Sequence, residues 1–111
     1  MRLANKTAII TGGGSGIGKV SARFFHREGA NVVLFGRRKH KLEETAKELG
    51  TRALAIEGDM TRSTDLDRLV QETRSTFQRI DILVNNAGIF KGATLHEVSD
   101  DQYDEIMNVN M

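Results

Sequence analysis

Thr11-Gly12-Gly13-Gly14-Ser15-Gly16-Ile17-Gly18 is the stretch on which the fold turns. It follows directly on a short apolar run, Thr7-Ala8-Ile9-Ile10, and leads into an amphipathic pattern with apolar residues at Ile17, Val20 and Phe24. Strand, glycine-rich turn and helix, in that order, are what a phosphate-binding turn requires. Glycine has no Cβ, so a ligand can approach the backbone closely. The helix that follows aims its unpaired N–H groups and its positive dipole end at an anion seated there.

Three glycine spacings compete for this loop. The pattern G-x-G-x-x-G needs glycine at the first, third and sixth positions. Started at Gly12 it meets Ile17, and started at Gly14 it meets Lys19, so it fails. The pattern G-x-x-x-x-G-K-[ST] fits Gly13, Gly18 and Lys19 but then meets Val20, which has no hydroxyl for a magnesium ion. The spacing T-G-x-x-x-G-x-G fits throughout, at Thr11, Gly12, Gly16 and Gly18. A plain flexible connection is the bland alternative, but a short strand-to-helix loop does not need five glycines between positions 12 and 18.

The 111 residues have the size of one domain with a modest core. Sixteen Lys and Arg against fifteen Asp and Glu leave a net charge of +1, which gives no reason to expect nucleic acid or an anionic membrane as partner. There is no cysteine, so disulfides and thiolate metal sites drop out. No apolar run approaches the roughly 20 residues that span a bilayer, and no signal-peptide pattern precedes the first strand. A soluble, cytoplasmic protein is the expectation.

Strand and helix patterns alternate along the chain. Lys6 to Ile10 reads as a strand. A helix follows from Gly16 or Ile17 to Glu28, with Gly29 placed to stop it. Asn31 to Phe35 is a second strand, and Leu42, Ala46 and Leu49 stripe a second helix closed by Gly50. Arg52 to Ile56 is a third strand. Leu66, Leu69, Val70, Thr73 and Phe77 mark a third helix with Ser63 or Thr64 as N-cap. Ile82 to Val84 forms a fourth strand before Asn85-Asn86-Ala87-Gly88. Ser99 and Gln102 make a capping-box pair ahead of a further helix through Tyr103, Ile106 and Val109. Successive βα units with continuously apolar strands predict an α/β fold, a parallel sheet covered by helices on both faces.

With these residues in place, the chain resembles the N-terminal part of a short-chain dehydrogenase/reductase of the classical type. The resemblance covers essentially all 111 residues. Thr11, Gly12, Gly16 and Gly18 match that family's coenzyme loop, and Asp59 matches its acidic residue at the adenine ring. Asn85-Asn86-Ala87-Gly88 matches its N-N-A-G motif, and Asn110 its helix-borne catalytic asparagine. The resemblance implies a Rossmann-type doubly wound sheet with strand order 3-2-1-4. It also implies hydride transfer between a nicotinamide cofactor and a small carbonyl or alcohol substrate, and a possible homo-oligomer. The implied cofactor contacts are Gly12, Ser15, Gly16, Ile17, Gly18, Arg37, Arg38, Asp59, Met60, Asn86, Ala87 and Gly88. Taken alone, Asp59 could be an ordinary turn residue before a helix, and Asn85 to Gly88 an ordinary turn.

Cofactor choice rests on the end of the second strand. A carboxylate there would hold the ribose 2′-hydroxyl of NAD, whereas arginine accommodates the 2′-phosphate of NADP. Gly36 occupies the acidic slot, and Arg37 and Arg38 follow. A guanidinium pairs with phosphate in bidentate fashion, so NADP is favoured, with NAD as second choice. Relatives that use NADP often carry a basic residue in the glycine loop, where this chain has Ser15. Lys39 to Lys41 reads as a solvated helix start.

The family's tyrosine acid/base and the lysine four residues later have no counterpart here. The one tyrosine, Tyr103, has Met107 at that distance and reads as a packing residue. His26, His40 and His96 form no metal or triad spacing. Only Asn110 of the catalytic set is present. The last helix carries no stop signal, and the fourth strand is expected to have an unpaired outer edge. These features point to the cofactor-binding part of a longer enzyme, without turnover of its own. A short non-catalytic dinucleotide-binding or assembly module is the alternative.

Overall fold

The computed structural model describes residues 3–12, 14–85 and 107–110. Among the described residues eight elements follow one another: β1 (Thr7–Thr11), α1 (Gly16–Arg27), β2 (Asn31–Gly36), α2 (Lys39–Leu49), β3 (Ala53–Glu57), α3 (Ser63–Phe77), β4 (Ile82–Asn85) and β5 (Met107–Asn110). The strands form one sheet in the order β3-β2-β1-β4-β5, and every pairing is parallel. The order 3-2-1-4 that the resemblance implies therefore stands, with one strand added.

Side chains alternate across each strand, so each apolar run serves two cores. Ala8, Ile10, Val32, Leu34, Ile82 and Val84 face α1 and α2, where Ala22 and Leu42 meet them. Ile9, Val33, Phe35, Ile56 and Leu83 face the other way, against Leu66, Leu69 and Val70 of α3. Phe35 is completely buried there. At the N-terminal end of β1, Thr7 and Asp81 form a clip. The Thr7 N–H donates to Asp81 Oδ2 at 2.9 Å, and the Asp81 N–H donates back to Thr7 O at 2.9 Å. Arg79 holds the same buried carboxylate through both oxygens, at 2.8 and 2.6 Å.

Helix α1 ends as Gly29 predicts. With φ at +100°, Gly29 donates to His26 O, and Ala30 donates to Phe25 O, both at 3.0 Å. These two bonds are the paired closure of a Schellman motif.

Three expectations need correcting. The apolar residues of α1 do not face the sheet: Ile17, Val20 and Phe24 are 59%, 62% and 47% exposed, while Gly18, Ser21 and Ala22 are buried. Small residues let the helix lie close to the strands, and close approach rather than hydrophobicity selects the buried face. Phe24 instead stacks edge-on with Phe25, ring centroids 5.3 Å apart, under the Arg27 guanidinium. The N-cap of α3 is Arg62, with no side-chain capping bond, rather than Ser63 or Thr64. The acidic first-turn residue Asp65 reaches out of the helix to accept the Asp59 N–H at 2.8 Å.

The third correction concerns residues 107–110, read as part of a helix through Val109. They form β5, in register with β4 from Ile82↔Met107 to Asn85↔Asn110. The outer edge of β4 is therefore paired. An open ladder of backbone donors and acceptors outweighs a weak helical periodicity over four residues. The Ser99–Gln102 capping pair, Tyr103 and Ile106 lie outside the described residues.

Candidate functional site

The parallel register brings the C-terminal ends of the strands to one edge. Ile56, Phe35, Thr11, Asn85 and Asn110 stand in one row across the sheet. In an open parallel sheet, ligands bind in the crevice beyond this row.

Gly12 begins the crevice. Its φ of +67° lies where a Cβ is disfavoured, and its N–H donates to Phe35 O at 2.8 Å, tying the loop to the end of β2. The Ser15 N–H and Oγ–H both return to Gly12 O, at 3.0 and 2.8 Å. Ser15 is also the N-cap of α1, its Oγ accepting from the Gly18 N–H at 3.0 Å. The capping hydroxyl thus occupies one first-turn donor and leaves those of Gly16 and Ile17 to the crevice side. Thr11 Oγ1 lies 3.2 Å from Val84 O and 3.3 Å from Asn85 Oδ1, bracing the loop's first residue against β4.

Two cavities open from this loop and share Gly12, Gly36 and Arg37. One, of about 280 Å³, is completed by Gly14, Ser15, Arg38 and Leu42. The other, of about 420 Å³, is completed by Gly58, Asp59, Met60 and Thr61. They adjoin at these three residues and together make one trough. Gly58, in the wall of the second cavity, has no room for a side chain on its core side: a Cβ there would fall 2.5 Å from Phe35 Cε1 and 2.6 Å from Cζ.

Asp59 sits two residues past β3. Its Oδ1 accepts from the Thr61 N–H at 2.8 Å and from Thr61 Oγ1 at 2.7 Å. These bonds hold its carboxyl below the usual carboxylate range, with the charges of Arg37 and Arg62 assisting. The group is anionic at neutral pH, and only acidification below that range would discharge it.

The structure brings together Gly12, Ser15, Gly16, Ile17, Gly18, Arg37, Arg38, Asp59 and Met60 at this edge. Asn86, Ala87 and Gly88 lie outside the described residues. Asn110 is carried on a strand rather than a helix, its backbone at the same sheet edge beside Asn85. One lining residue was not anticipated. Gly58 follows a strand directly and could have been suspected on that ground. Lys41, read with Lys39 as a solvated helix start, is exposed, with its stem against Gly14.

A family model described as short chain dehydrogenase matches residues 6–111. The chain belongs to that family. An oxidoreductase of Sarocladium schorii is 39% identical over 110 residues, 99% of this chain and 44% of that protein. An uncharacterized oxidoreductase of Staphylococcus aureus is 36% identical over 98% of this chain and 48% of its own length. Among solved structures, the 3-ketoacyl-(acyl-carrier-protein) reductase from Brucella melitensis complexed with NADH is similar at 46% identity and a TM-score of 0.75. That match covers 78% of this chain and 36% of that one. A short chain dehydrogenase from Bacillus anthracis follows at 42% identity and a TM-score of 0.73, over the same shares. The chain thus spans less than half the length of these short-chain dehydrogenase relatives.

Proposed function

We propose that this short-chain dehydrogenase chain binds a nicotinamide dinucleotide along the trough, prefers NADP to NAD, and serves an oxidoreductase acting on a small carbonyl or alcohol substrate. One observation carries the preference. The end of β2 offers Gly36 and two guanidiniums, Arg37 and Arg38, where a carboxylate would be needed for a free 2′-hydroxyl. The cavity holding both arginines runs into the one holding Asp59 and Met60, so an adenine and its ribose 2′-substituent have adjoining places.

The residues present fit such a cofactor. Gly12 and the α1 N-terminus provide a backbone cradle for the pyrophosphate. Asp59 offers an acceptor to the adenine amino group. When bound, the nicotinamide would supply or accept hydride; the chain's own residues bind, orient and neutralise charge. Asn110 is the one residue of the family's catalytic set within these 111 positions. Binding rather than turnover is the property expected of the chain by itself.

Calorimetric titration with NADPH, NADH and ATP tests the reading. NADPH is expected to bind most tightly, NADH more weakly and ATP weakest, since Val20 leaves the loop without a hydroxyl for magnesium. Equal affinity for all three would contradict it.

A further inference from the structure

We propose that Lys41 supplies the third cation of the 2′-phosphate pocket, from the first turn of α2, in place of a basic residue within the glycine loop. The inference rests on the NADP reading above and adds a residue to it.

The glycine loop leans on Lys41. A Cβ built on Gly14 would lie 3.2 Å from Lys41 Cβ and 3.9 Å from its Cδ, so the aliphatic stem runs along the loop. Leu42, the next residue, lines the cavity together with Gly14, Ser15, Arg37 and Arg38. A lysine stem of four carbons, set against Gly14 where that residue lines the cavity, can carry its ammonium to an anion inside. The charge that Ser15 does not supply is thereby offered from the first turn of α2.

The charge pattern of α2 agrees. Its first turn, Lys39-His40-Lys41, contains no acidic residue, and its N-cap Arg38 makes no side-chain capping bond. Cations at the positive end of a helix are repelled by the dipole. A phosphate dianion in the adjoining cavity turns that repulsion into attraction. His40 is paired with Glu44 and Arg23 with Glu48, whereas Lys41 has no ion pair among the described residues. It is the cation on this helix that combines contact with the loop and freedom to move toward a ligand.

The test uses two probes, adenosine 2′,5′-bisphosphate and adenosine 5′-monophosphate, titrated calorimetrically at low salt. Lys41→Gln is expected to weaken the bisphosphate about tenfold, the scale of one charge-assisted contact, and to leave the monophosphate unchanged. Lys41→Arg should keep most of the affinity. Lys39→Gln removes the same charge elsewhere on the turn and should alter either probe by less than about twofold. An unchanged Lys41→Gln variant would overturn the assignment while leaving the NADP reading intact. An equal loss in Lys39→Gln would also overturn it, since the effect would then be a diffuse field. If the unaltered chain binds both probes equally, the NADP reading itself fails.

Discussion

Gly58→Ala is expected to lower the stability of the chain by about 1–3 kcal/mol, the cost of forcing an atom into a packed core. The new methyl would meet Phe35 Cε1 at 2.5 Å and Cζ at 2.6 Å, with Asp65 Cβ at 3.2 Å on its other side. Phe35 cannot retreat, because it is completely buried among Ile9, Val33, Ile56 and the α3 residues Leu66 and Leu69. Nor can the glycine, whose N–H donates to Gly36 O at 2.8 Å at the sheet edge. In urea unfolding, with a slope of about 1–3 kcal/mol/M for a chain of this size, the midpoint should fall by about 1 M. Phe35→Leu in the same background should recover part of the loss, giving a favourable coupling energy in the double-mutant cycle. A Gly58→Ala chain as stable as the original would show that the β3 end is not packed as described.

Arg37→Asp is expected to produce the largest change in ligand binding. Arg37 lines both cavities of the trough, so it stands where the 2′-substituent would sit. Removing it deletes a charge-assisted contact, and the introduced carboxylate repels the phosphate. Together these should weaken NADPH about 100-fold or more. NADH has no 2′-phosphate to be repelled, so its affinity should fall far less, and the NADPH-to-NADH preference should be lost or reversed. The ratio of the two affinities, measured on one preparation, is insensitive to a general loss of folding. An unchanged NADPH affinity would remove the basis for the NADP assignment.

How much of this was legible beforehand depends on which force chose each feature. The strands were readable because β1, β2 and β4 are buried on both faces and so are apolar throughout. Gly29 was readable because only a residue tolerant of positive φ closes a helix in that way. The orientation of α1 was misread because Gly18, Ser21 and Ala22 are buried for their size, which hydrophobic periodicity does not register. Strand β5 was misread because its pairing with β4 is a long-range choice. Of the candidate site, the glycine loop and Arg37 are legible from local chemistry, and Asp59 only through the family resemblance. Lys41 and Gly58 are not, since each matters through a residue far away in sequence: Gly14 in one case and Phe35 in the other.

The central claim is that three strand ends, separated in sequence, form one dinucleotide site. Backbone amide chemical shifts of the 111-residue chain, followed during titration with NADPH, test it most directly. Gly12, Gly16, Ile17, Arg37, Arg38, Asp59 and Met60 should shift together along one saturation curve. Thr51 and Asp81, at the opposite end of the sheet, should stay still. Shifts confined to one of these loops, or centred on the Asp81 end, would contradict the account.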